Sequence, residues 1–133
     1  MKFIGHLDIM RYFQKAVKRA NLDVAFSEGF SPHMIMSFAS PLGVGITSTG
    51  EYFDMELKSA TTSSDMVKRL NDAMAEGMKI LSIRQVEDGK ASKAMSLVAA
   101  ADYRLKFRET AKLPENWKEK LEEFKAQKEI VIL

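Results

Sequence analysis

The chain contains no cysteine. That excludes a disulfide framework, a zinc–thiolate site and an iron–sulfur cluster held by this protein. No basic segment followed by an apolar one opens the sequence, so nothing marks secretion and the cytoplasm is the expected location. Charged residues make up 29% of the chain, yet none occurs between Glu28 and Glu51. That stretch is as long as a membrane span, but Gly, Pro, Ser and Thr fill too much of it for a spanning helix. It reads as a core-forming hairpin, and no membrane partner is expected.

Phosphate-binding signatures are lacking too. Gly43-Val44-Gly45 is not followed by Gly-Lys-Ser/Thr or by a helical pattern, and Ser48 breaks a GxGxxG match. These glycines read as turn or bulge positions. The aromatic–glycine signature of an RNA-recognition motif is also missing.

The 133 residues are 46% hydrophobic, enough for a real core and against disorder. A net charge of +2 is a weak basic bias that neither demands nor excludes nucleic acid. The nine methionines fall mostly at core-periodic positions.

Along the chain, Lys2–His6 reads as a short strand and Asp8 as the N-cap of a helix. Ile9, Phe13, Ala16, Val17 and Ala20 form the apolar face of that helix; Arg11, Lys15, Lys18 and Arg19 form its basic back. Leu22–Phe26 is a strand candidate, and Ser27 to His33 has turn chemistry. Met34–Phe38 and Glu51–Leu57 read as strands, with Met34, Met36, Phe38, Phe53, Met55 and Leu57 facing inward. Ser64 is placed as the cap of a second helix carrying Met66, Val67, Leu70, Ala73, Met74 and Met78, ended by Gly77. Ile80–Val86 reads as a further strand.

This order predicts an α+β fold: a ferredoxin-like βαββαβ sandwich over residues 1–88, with both helices on one face of an antiparallel sheet. Residues 89–133 predict part of a second such unit, cut short. Ser92–Ala100 is its short helix. Asp102–Arg108 is a strand with Tyr103, Leu105 and Phe107 inward and Arg104, Lys106 and Arg108 outward. Trp117, Leu121 and Phe124 make a helical stripe, and Glu129–Leu133 reads as a strand. Exposed, that last strand could pair two copies of the chain.

Four residues invite a chemical reading: His6, Asp8, Glu28 and His33. Two histidines and two carboxylates suit a metal site or an acid–base pair. Their spacings match no ligand motif such as HExxH, and no metal is expected. The plainer alternative has Asp8 capping the helix and each histidine bonded to nearby backbone. The basic residues form a second set. Arg11, Lys15, Lys18 and Arg19 on the helix, and Arg104, Lys106 and Arg108 on the later strand, are candidates to track a phosphate backbone. Phe30 and Tyr52 are available to stack on bases. Such basic stripes are equally at home as solvated faces.

Gly5-His6-Leu7-Asp8, Ser27 to His33 (SEGFSPH), Ser37 to Gly45 (SFASPLGVG), Glu51 to Leu57 (EYFDMEL) and Ala100-Ala101-Asp102-Tyr103 together resemble one known family. It is an uncharacterised bacterial family linked to radical-SAM enzymes, a domain of unknown function. The likeness covers essentially the whole chain. It implies context: such domains are encoded beside, or fused to, a cobalamin-binding radical-SAM protein, often near RNA-metabolism genes. The resemblance therefore implies an accessory domain that partners a radical-SAM enzyme and presents an RNA substrate.

It assigns no catalytic residue and no cofactor to this chain. A radical-SAM cluster needs three thiolates, so the radical chemistry would reside in the partner. Similar chains carry more residues before Phe3 and continue past Leu133, so a fragment or shortened version is expected here. Two other functions stay open. One is a metal-independent endoribonuclease using His6 or His33 with a lysine such as Lys15, by analogy with CRISPR-processing enzymes of tandem ferredoxin-like build. The other is a domain that only docks protein, through the charge-free hairpin.

Overall fold

The computed structural model describes residues 3–40, 42–88, 93–129 and 131. Its order is α1 (His6–Arg19), β1 (Met36–Phe38), β2 (Phe53–Met55), α2 (Ser63–Asp72), α3 (Ala94–Leu97) and α4 (Trp117–Lys125). The architecture is mixed α and β, with four helices and one two-stranded antiparallel sheet. Two compact units divide it, residues 1–101 and 102–133. No helix among the described residues is long and apolar enough to cross a membrane.

α1 forms because its apolar residues recur at helical spacing and its first turn carries an acid. The cap is Gly5, and Asp8 lies three residues inside it. The expected strand at residues 2–6 is thus not formed among the described residues: Gly5 C=O already accepts from Asp8 and Ile9 N–H groups. Once Gly5 is the cap, Asp8 complements the helix dipole instead of capping. The helix ends in a Schellman motif. Asn21 takes a positive φ of 55°. Its N–H donates to Lys18 C=O and that of Leu22 to Val17 C=O.

The chain then builds a three-way junction of extended backbone. Ala25 N–H donates to Glu56 C=O (2.8 Å), Glu56 N–H to Ile35 C=O (3.0 Å), and Ile35 N–H to Ala25 C=O (2.9 Å). Val24 bridges Leu57 and Phe26 bridges Met34, while β1 pairs with β2 in the register Met36↔Met55, Ser37↔Asp54 and Phe38↔Phe53. The expected alternation holds here. Met36, Phe53, Met55 and Leu57 pack on the core, and Ser37 and Asp54 point away from it.

α2 starts at Thr62, not Ser64. The Thr62 hydroxyl accepts from Asp65 N–H at 3.2 Å, the reach from a cap to the third helical residue. Four hydroxyl residues precede Asp65, and this spacing selects among them. The helix closes at Asp72, with Gly77 further on at a positive φ of 92°. Val17, Ala20, Val24, Met34, Leu70 and Ile80 form one buried cluster, so both helices and the extended segments share a core.

The expected strand at Ile80–Val86 is absent. Ile80 is buried, but its polar backbone groups meet a side chain instead of a neighbouring strand. Asn71 Oδ1 accepts from Ile80 N–H at 2.8 Å, and Asn71 Nδ2 donates to Ile80 C=O at 3.0 Å. Of the short helix expected at Ser92–Ala100, only Ala94–Leu97 (α3) is helical; Ser92 lies outside the described residues, residues 98–100 are not helical, and the Asp54 carboxylate accepts from Ala94 N–H at 2.8 Å.

In the second unit, Asp102–Arg108 is not a strand, and Tyr103 and Leu105, expected inward, are exposed. Within this unit no strand lies beside the segment among the described residues to pair its backbone. Phe107 meets α4 edge-on to Trp117 at 5.9 Å. Of the strand expected at Glu129–Leu133, residues 130, 132 and 133 lie outside the described ones, and Glu129 and Val131 are not in a strand.

Candidate functional site

His6 is the first residue of α1, and its ring meets the Phe38 ring edge-on at 5.6 Å. Phe38 stacks on Phe53 at 5.2 Å, and Phe13 of α1 closes the cluster at 5.4 Å and 5.2 Å from the two. His6 is therefore the rim of an aromatic cluster that fastens α1 to the sheet. Asp8 lies exposed in the same first turn, with its partner Arg11 at 3.7 Å. In water such a pair contributes little.

Glu28 and His33 belong to the hairpin turn instead. Ser27 N–H donates to His33 C=O at 2.8 Å, and His33 N–H donates back to Ser27 Oγ at 3.1 Å. The same Oγ shares a 2.9 Å hydrogen bond with His33 Nδ1, so the ring is held by a side chain more than by backbone. Ser31 C=O is a distant second partner at 3.5 Å. Glu28 is exposed and has no ion pair among the described residues. The four residues are thus placed two by two, on a helix start and on a turn. No group of three or more potential metal ligands occurs among the described residues.

The basic set divides by use. Arg19 Nη2 donates to Ala73 C=O at 2.8 Å, the carbonyl at the end of α2. Arg69, in the last turn of α2, does the reverse: its Nε donates to Ala20 C=O at 2.9 Å and its Nη2 to Asn21 C=O. Each helix thus lends an arginine to the carbonyl end of the other, where cations are favoured. Tyr12 adds a third tie, its hydroxyl accepting from Ala75 N–H at 2.5 Å. A shallow cleft of about 430 Å³ lies here, lined by Arg19, Arg69 and Asp72 to Ala75.

Arg11, Lys15 and Lys18 remain on the outer side, at positions i, i+4 and i+7, so they make one stripe. All three are exposed, and Lys15 and Lys18 have no ion pair among the described residues. Arg104, Lys106 and Arg108 are exposed in the second unit. Phe30 stands fully exposed at 108% of its reference area, and Tyr52 is largely exposed at 65%.

Asp65 and Lys68 are the two groups of α2 with displaced titration. The Thr61 hydroxyl, donating at 2.7 Å, holds the Asp65 carboxyl below its ordinary range, with Arg69 helping against partial desolvation. Hydrogen bonding to Asp72 at 2.8 Å raises Lys68. Sequence reasoning missed Arg69 and Tyr12. A basic residue in a last turn was the available signal for Arg69, but the carbonyl it would reach depends on helix packing.

No curated protein and no solved structure matches the chain. Over residues 1–133 its sequence matches the family described as "Uncharacterized protein conserved in bacteria (DUF2344)", and the chain belongs to that family.

Proposed function

We propose that this chain is a non-catalytic accessory domain that holds RNA along the outer stripe of α1 and serves a radical-SAM enzyme in the cytoplasm. The observation that carries the RNA half is the exposure of Arg11, Lys15 and Lys18 in one line, with neither lysine engaged by a carboxylate. A line of cations on a helix, two of them without an ion pair among the described residues, suits a phosphate backbone, whose counterions it would release. The partner half rests on the sequence resemblance and on the missing cysteine, which leaves the cluster chemistry to another chain. The buried cluster that α1 and α2 share with residues of the antiparallel β1–β2 pair supports a ferredoxin-like βαββαβ plan, although its first and last strands are not formed among the described residues.

A second reading, metal-independent cleavage, is favoured by one feature. The exposed His33 ring is oriented by Ser27, as an acid–base group is oriented by a neighbour. The test separates the two. The chain is mixed with bacterial tRNA and rRNA fragments and run on a gel that shows binding and cleavage together. Binding without cleavage, lost on the double change Lys15→Glu and Lys18→Glu, is the expected result. No binding in low salt, or binding indifferent to the reversal, would overturn the proposal. Cleavage abolished by His33→Ala would replace it with the second reading.

A further inference from the structure

We infer that the RNA is held as a single strand, with one unpaired base stacked on Phe30 at the tip of the hairpin. This rests on the reading of the α1 stripe and names the kind of RNA that stripe would meet. Exposed apolar side chains are common on any surface, and exposure alone means little. What sets Phe30 apart is the backbone that carries it. Phe26 bridges Met34 below it, and Ser27 and His33 exchange two hydrogen bonds, reinforced by the Ser27–His33 side-chain contact. Pro32 fixes its own φ. Gly29 turns the chain at φ 113°, a conformation that side-chain-bearing residues rarely adopt. Backbone tied in this way has little ordering entropy left to lose when a ligand stacks on the ring it carries.

The position of the tip points to a base and not a phosphate. Residues 27–33 carry no lysine or arginine, and their one formal charge is Glu28. That carboxylate repels phosphate, so the strand must turn its bases, not its backbone, toward the tip. Val24 and Met34, at the foot of the hairpin, share a buried cluster with Val17 and Ala20 in the last turn of α1. Lys18 belongs to the outer side of that same turn. The basic end of α1 and the foot of the hairpin that carries Phe30 therefore share one packed base. Sequence-tolerant binding of single strands uses this pairing of a cationic track with a stacking ring. In a duplex the bases are stacked on each other and no face is free for Phe30.

The test compares a short labelled RNA, alone and annealed to its complement, by fluorescence anisotropy with the full chain and with Phe30→Ala and Phe30→Trp. Phe30 is exposed, so neither change disturbs the core. The single strand is expected to bind tighter than the duplex. Phe30→Ala should weaken the single strand by roughly tenfold or more while leaving duplex binding and salt dependence alone, and Phe30→Trp should keep the affinity. Equal binding of strand and duplex, or a Phe30→Ala protein that binds the single strand normally, overturns the inference and leaves the stripe intact. Failure of the unmutated chain to bind either RNA removes the stripe reading first, and this inference with it.

Discussion

Replacing Arg69 by alanine tests how the two long helices are locked. Its side chain is 30% exposed, and it donates to Ala20 C=O at 2.9 Å, to Asn21 C=O, and to Asp65 at 3.3 Å. A hydrogen bond from a charged donor contributes about 1.5–3 kcal/mol net when shielded, and a cation at a helix C-terminus about 0.3–1 kcal/mol. The Asp65 pair is open to solvent and adds little. With two carbonyls sharing one partly shielded guanidinium, the loss comes to about 2 kcal/mol, which for a unit of this size lowers Tm by roughly 8 °C. Arg69→Lys keeps the charge but not the fork, so it should recover less than half of that loss. Arg19→Ala should cost less than Arg69→Ala, because Arg19 makes one exposed bond. Thermal melts followed by circular dichroism supply the values. An Arg69→Ala melt within a degree or so of the unmutated chain would refute the clamp. Full rescue by lysine would show that charge, not geometry, closes the helix ends.

Leu70 is fully buried at 0% exposure and faces the shared cluster, so Leu70→Ala should destabilise the chain by about 2–5 kcal/mol in urea unfolding. Thr61→Val removes the hydroxyl that lowers Asp65, so the Asp65 carboxyl should titrate higher in a carbon-detected NMR pH series. Because the folded pKa of Asp65 is depressed, its contribution to stability is complete above the ordinary carboxylate pKa and lost as pH falls through the depressed value. Thr61→Val should flatten that acid-side loss, whereas an unchanged Asp65 titration would show that Arg69 and Lys68 hold it instead.

Much of the first unit was legible because its elements carry one strong period. The apolar face of α1 and the inward set from Met34 to Leu57 occur as the spacing predicts, whereas of the α2 stripe only Met66, Val67 and Leu70 lie in the helix, and Ala73, Met74 and Met78 follow its close at Asp72, short of the expected end at Gly77. The caps expected for α1 and α2, Asp8 and Ser64, lie three and two residues past the observed Gly5 and Thr62. Phe3 and Ile4 resemble a strand locally, but the cap of α1 is a glycine whose role shows only in its backbone bonds. In α2 the run of four hydroxyl residues hides which one caps. Ile80–Val86 and Asp102–Arg108 have strand composition, yet a strand exists only with a partner. For Ile80, Asn71 takes the partner's place. The pairing of Phe38 with Phe53, which brings His6 to the aromatic rim, depends on strand register that no local pattern fixes. The reciprocal arginines were invisible for the same reason: each reaches a carbonyl about fifty residues away along the chain.

The molecule so described has one side committed to holding itself together and another left open. Arg19, Arg69 and Tyr12 are spent on helix ends, while Arg11, Lys15 and Lys18 face outward. A salt titration of RNA binding tests most directly whether this outward stripe meets a phosphate backbone. With three cations engaged on a single strand, the affinity should fall with a log–log slope of about −2, and binding should be lost in the chain carrying Lys15→Glu and Lys18→Glu. Binding that ignores salt, or no binding at low ionic strength, would contradict it.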